Sequence, residues 1–91
     1  MKFLSSWTVR PDTRLDAVRQ FLAGGGMPPS GATLLGRWHR VDASGGVSLF
    51  ETSDAAVLFE HAADWARFLD IEIVPVVEDA EAGPLMAKIL G

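Results

Sequence analysis

The chain has 91 residues, no cysteine, 48% hydrophobic and 22% charged residues, and a formal net charge of -4. One domain, residues 1–91, is all this length holds, and disulfides and thiolate metal sites are excluded. A chain this short buries only roughly 60–65% of its unfolded surface, so it is expected to be marginal alone.

Residues 2–10 (KFLSSWTVR) alternate as a strand, with Phe3, Ser5, Trp7 and Val9 on one face and Leu4, Ser6 and Thr8 on the other. Pro11 stops it. Asp12 or Thr13 offers an N-cap, with Thr13 and Asp16 spaced as a loose capping box. Leu15, Val18, Phe21 and Leu22 then form one helical stripe, which Gly24-Gly25-Gly26 terminates before the loop Met27–Gly31. The glycine run is no phosphate loop, because it precedes a loop and strand rather than a helix and has no Lys-Ser/Thr.

Strands follow at 33–41 (TLLGRWHRV) and 46–52 (GVSLFET), joined by a hairpin turn at Asp42–Gly45. Ser53 or Asp54 caps a second helix with Leu58, Phe59, Ala62, Trp65 and Leu69 on its apolar face. Residues 71–77 (IEIVPVV) make the fourth strand, and Pro75 assigns it to a sheet edge or a bulge. After the acidic stretch Asp79–Glu81, Gly83-Pro84 opens a short C-terminal helix with Pro84 at its first position. The order is β-α-β-β-α-β plus a tail. It defines an α+β, ferredoxin-like fold: four antiparallel strands with two helices on one face.

That layout leaves one sheet face uncovered. Placing Val41 opposite Val47 sets Leu49 against His39 and Glu51 against Arg37, so the uncovered face carries Leu35, Arg37, His39, Val47, Leu49 and Glu51. Gly36, Trp38 and Phe50 then lie beneath the helices, since charges there would be desolvated at large cost. A face too apolar for water and too charged for a dry core fits a homodimer stacking sheet on sheet.

Arg37, His39 and Glu51 are the first candidate site. His39 would serve as acid or base, Glu51 would orient it, and Arg37 would hold an anionic ligand. The plainer reading is an ion-pair network fixing strand register or the dimer. Trp7, Trp38 and Trp65 would line an apolar ligand pocket or fill the core. His61 lies off the apolar stripe, as a solvated, interface or site histidine. No local spacing of His39, His61 and Glu51 supports a metal, and no cofactor is expected.

The segments GRWH (36–39), WTVRP (7–11) and PVVEDAEA (75–82) resemble a short bacterial domain-of-unknown-function family, similar in plan to the dimeric α/β-barrel superfamily. The resemblance implies a homodimer. Relatives by fold include small monooxygenases, lactone isomerases, haem-degrading enzymes and effector-binding regulatory domains. The resulting expectation is a small-molecule binding or sensing module. The alternatives are a small metal-free enzyme of monooxygenase or isomerase type, or a purely structural domain. Dispersed basic residues argue against nucleic acid and anionic lipid as partners. With no apolar run of roughly 18 residues and no signal-like start, a cytoplasmic location is expected.

Overall fold

The computed structural model describes all residues from Met1 to Gly91. Strands β1 (Lys2–Val9), β2 (Ala32–His39), β3 (Gly45–Thr52) and β4 (Leu69–Val76) form one antiparallel sheet in the order β2-β3-β1-β4. Helices α1 (Arg14–Gln20) and α2 (Ala55–Trp65) follow β1 and β3, and α3 (Asp79–Ile89) ends the chain. The ferredoxin-like topology is therefore as the hydrophobic pattern predicts. Pro75 sits on β4, which is an edge strand, where its missing N–H costs no ladder bond inside the sheet.

Phe3, Ser5 and Trp7 of β1 face the helices, opposite Phe50, Ser48 and Gly46 of β3. Two small cores result: Phe3, Phe50 and Leu58 form one, and Ala17, Trp65 and Leu69 the other. Asp54 caps α2 by accepting the Ala56 N–H at 3.0 Å. The capping box expected at α1 does not form. Thr13 instead donates its hydroxyl to the Phe68 carbonyl at 2.8 Å, tying the start of α1 to the approach to β4. Gly24 takes the left-handed conformation (φ 94°, ψ 3°) that ends the π-helical turn after α1.

The β2–β3 register differs from the predicted one throughout: Val47 pairs with Trp38 and not Val41, Leu49 with Gly36 and not His39, and Glu51 with Thr33 and not Arg37. Leu34 pairs with Phe50, but Gly36 pairs with Leu49, so Leu35 is an extra residue in a β-bulge. Beyond it the alternation is inverted: Arg37 lies opposite Ser48, Trp38 opposite Val47 and His39 opposite Gly46. Arg37 and His39 thus lie on the helix side of the sheet, Arg37 half-buried and His39 exposed at the strand end. Gly36 and Trp38 turn to the uncovered face, where a Cβ on Gly36 would come within 2.6 Å of the Trp38 ring.

Helix α3 begins at Asp79, earlier than predicted, and holds Pro84 in its interior. Asp79 and Glu81 in the first turn complement the helix dipole, which favours that earlier start. None of its residues is buried, and Leu85, Met86, Ile89 and Leu90 are all exposed. Only 13 of 91 residues are buried, and the radius of gyration is 15.2 Å. A packed domain of this length would have about 12 Å. The excess reflects the outlying α3 and a thin helix layer. No helix is long and apolar enough to cross a membrane.

Candidate functional site

At the centre of the helix-facing surface the side chains are small. Ser5 and Ser48 are paired neighbours, Gly46 lies beside them, and Ala17 looks down from α1. Larger residues surround them, so helices and sheet cannot close and a cavity of about 320 Å³ remains. That size lies at the lower end of ligand pockets. Phe50, Trp65 and Leu69 reach it from the two cores, Trp7 from β1, and Val18, Phe21 and Leu22 from the α1 side.

Arg37 is the central polar group. Its Nε donates to Ser48 Oγ at 3.3 Å, its Nη2 donates to the Gly26 carbonyl, and its guanidinium lies 5.2 Å from the centre of the Phe21 ring. Desolvation pushes its pKa below the ordinary guanidinium value, though a guanidinium remains charged in proteins. His39 meets the rings of Trp7 and Phe21 edge-on, at centroid distances of 5.3 and 5.4 Å. Its ring is held by aromatic contacts and by no carboxylate.

His61 also lines the cavity and is buried, so of the solvated, interface and site placements expected for it the solvated one does not hold. Leu58, His61 and Trp65 are the buried residues of α2 and share one helical face, so the imidazole meets Phe50, 5.5 Å between ring centres. Burial first, and Arg37 second, lower its pKa; Asp64 opposes them. The imidazole is therefore neutral at pH 7. Below the ordinary imidazole value of 6.5 the unfolded chain takes up a proton that the fold resists. The His61 contribution to stability is thus full at neutral pH and is lost as pH falls through 6.5 toward the folded value. His61→Gln is expected to flatten the pH dependence of urea stability below the ordinary imidazole value of 6.5. An unchanged slope would show that His61 titrates normally.

The structure does not assemble Arg37, His39 and Glu51. Pairing with Ser48 and Gly46 puts Arg37 and His39 on the helix side, whereas Glu51 stays on the uncovered face, 3.9 Å from Lys2. Nor do the three tryptophans converge. Trp7 and Trp65 wall the cavity, but Trp38 is 60% exposed on the opposite side of the sheet. No group of three His, Asp or Glu side chains is placed to hold a metal ion.

The glycine run contributes more than a helix stop. The Gly25 carbonyl accepts the Trp65 indole N–H at 2.9 Å, and the Gly26 carbonyl accepts from Arg37. A Cβ on Gly26 would stand 2.7 Å from the Phe21 ring and 2.9 Å from Arg37 Nη1, so this close approach requires glycine. The signals in the sequence were the serines at 5 and 48 within otherwise bulky alternation, and Gly36 inside a strand.

Among solved structures, the chain is similar to Rv0793 from Mycobacterium tuberculosis, at 16% identity over 87% of this chain and 96% of that one, with a TM-score of 0.50. It is also similar to a protein described as an antibiotic biosynthesis monooxygenase, at 14% identity over 86% of this chain and 100% of the other, TM-score 0.50. These likenesses are of fold alone, the ferredoxin-like α+β fold described above. No curated protein sequence matches it. A family model described as a domain of unknown function, DUF3303, matches residues 1–90, and the chain belongs to that family.

Proposed function

We propose that this chain is a small-molecule binding or sensing module that takes a flat, largely apolar molecule between its sheet and helices. The observation that carries this reading is the unspent apolar surface beside the cavity. Val18, Phe21 and Leu22 line it while remaining 48%, 37% and 77% exposed. Fully covering a side chain of this kind contributes roughly 1.5–3 kcal/mol, which a bound ligand would supply. Trp7 and Trp65 would flank the ligand, with Arg37 and His39 as the polar contacts.

The working unit in this reading is a homodimer, residues 1–91 of each chain forming one domain. An apolar row of Leu49, Leu4 and Val74 crosses the uncovered face, extended by Trp38 lying over Gly36. Sheet-on-sheet contact would cover it, and the exposed stripe of α3 adds further unpartnered apolar surface.

The test uses methyl 2-naphthoate as a neutral flat probe. Saturable quenching of tryptophan fluorescence and a raised Tm are expected, both lost in Val18→Trp, which plugs the cavity mouth. A response that does not saturate, or that survives Val18→Trp, overturns the pocket. Light scattering on the same samples should give twice the 9.8 kDa chain mass. A monomer at micromolar concentration overturns the dimer.

One observation favours a second reading, a small metal-free enzyme. Neutral His61 shares the cavity with Arg37, which suits a general base acting on a ligand that Arg37 holds. Turnover that His61→Gln abolishes while binding persists would establish it. The purely structural alternative calls for a buried Arg37–Glu51 pair without an adjoining cavity, and that geometry is not the one observed.

A further inference from the structure

The arginines divide into two sets. Arg10, Arg19 and Arg67 each pair with an aspartate, at 3.1, 3.1 and 3.3 Å, and none of them lines the cavity. Arg14, Arg37 and Arg40 make no carboxylate pair, and all three line it. His39 and His61 join them, while no Asp or Glu reaches the cavity wall. The chain as a whole is acidic, at -4, so this cavity runs against the charge of its own protein.

A half-buried guanidinium without a counter-ion carries an uncompensated desolvation cost. Arg37 offsets part of it through Ser48 Oγ, the Gly26 carbonyl and the Phe21 ring. All of these are neutral partners. Its Nε and one Nη2 hydrogen are engaged, so the Nη1 hydrogens and the second Nη2 hydrogen remain free. That free edge is the fork that receives a carboxylate through two parallel hydrogen bonds. One inner arginine balances one negative charge. Arg14 and Arg40, both exposed, stand at the rim, where they attract an anion without being desolvated by it.

We propose that the cavity selects a planar aromatic monocarboxylate, its carboxylate on Arg37 and its ring between Trp7, Phe21 and Trp65. This deepens the small-molecule reading above and rests on it. A phosphate dianion would bring two charges to a single inner cation and would leave the aromatic walls uncovered. A neutral ligand would leave the Arg37 charge as it is now, without a counter-ion.

The experiment compares 2-naphthoate with its methyl ester on the whole chain at pH 7.5, by calorimetry and tryptophan quenching. The acid is expected to bind at least about tenfold more tightly, with an affinity that falls as salt rises, while ester binding stays flat. Arg37→Gln should bring the acid down to the level of the ester. Arg14→Gln and Arg40→Gln, at exposed positions, should reduce the salt dependence with a smaller loss. If acid and ester bind wild type equally, the anion claim is overturned and the pocket stands. If neither binds, both are overturned. Should Arg37→Gln not fold, the acid-to-ester ratio in wild type and the two rim variants decide the matter.

Discussion

Phe50→Ala is expected to lower the unfolding free energy of this chain by about 3–5 kcal/mol. Phe50 is 1% exposed, packs with Phe3 and Leu58, and meets the edge of His61. Alanine would remove the ring and join its space to a cavity already present beside it, so little collapse would relieve the loss. Domains of this kind have only about 5–15 kcal/mol in total. Each kcal/mol moves Tm by about 4–8 °C at this size, so a fall of more than about 10 °C follows. Phe59→Ala provides the contrast, because Phe59 is 77% exposed on the outer side of α2 and should change stability by less than about 0.5 kcal/mol. Equal effects for the two variants would mean that the core lies elsewhere.

Trp65 carries the second large effect, and it divides into two parts. Trp65→Ala should cost about 3–5 kcal/mol, since the indole is 6% exposed and packs on Ala17, Leu69 and the edge of Phe68. Trp65→Phe keeps most of that apolar contact and removes the donor to the Gly25 carbonyl, for about 1–2 kcal/mol. The two variants also differ in reach. The carbonyl next along the chain, at Gly26, holds Arg37, so losing the Gly25 anchor frees the segment that orients the guanidinium. Trp65→Phe is accordingly expected to speed amide hydrogen exchange at Gly25–Met27 relative to the β1 and β3 ladder. Unchanged exchange there would show that Arg37 and the backbone hold the segment without the indole.

Much of the fold was legible in the residues because each signal was local. Period-two alternation marked β1 and β3, Asp54 marked the start of α2, and Pro75 marked an edge strand. The start of α3 was not. Pro84 resembles a first-turn proline, yet the helix begins five residues earlier and carries it inside. Acidic residues in the first turn outweighed the proline signal there.

The site was half legible. Arg37, His39, Trp7 and Trp65 were all singled out, and all four line the cavity. Glu51 and Trp38 were grouped with them and lie on the opposite face. A slip of three residues at the turn end of the hairpin accounts for the difference, since Val47 pairs with Trp38 where Val41 was expected. An odd slip moves every side chain to the other face, and the bulge at Leu35 restores the expected faces only for Leu34 and the residues before it. The bulge is set by two segments of the same hairpin settling into different offsets against β3, Leu34 on Phe50 and Trp38 on Val47. No composition rule for a single strand expresses that competition.

The sequence by itself determined the number, order and type of the main elements, and with them the ferredoxin-like topology, because periodicity, caps and turn residues act over a few neighbours. Tertiary structure alone decided which way Arg37 and His39 point, that His61 is buried, and that a cavity persists over Ser5 and Ser48. Those depend on register and on the volume left between layers, which arise only when distant segments compete for the same space.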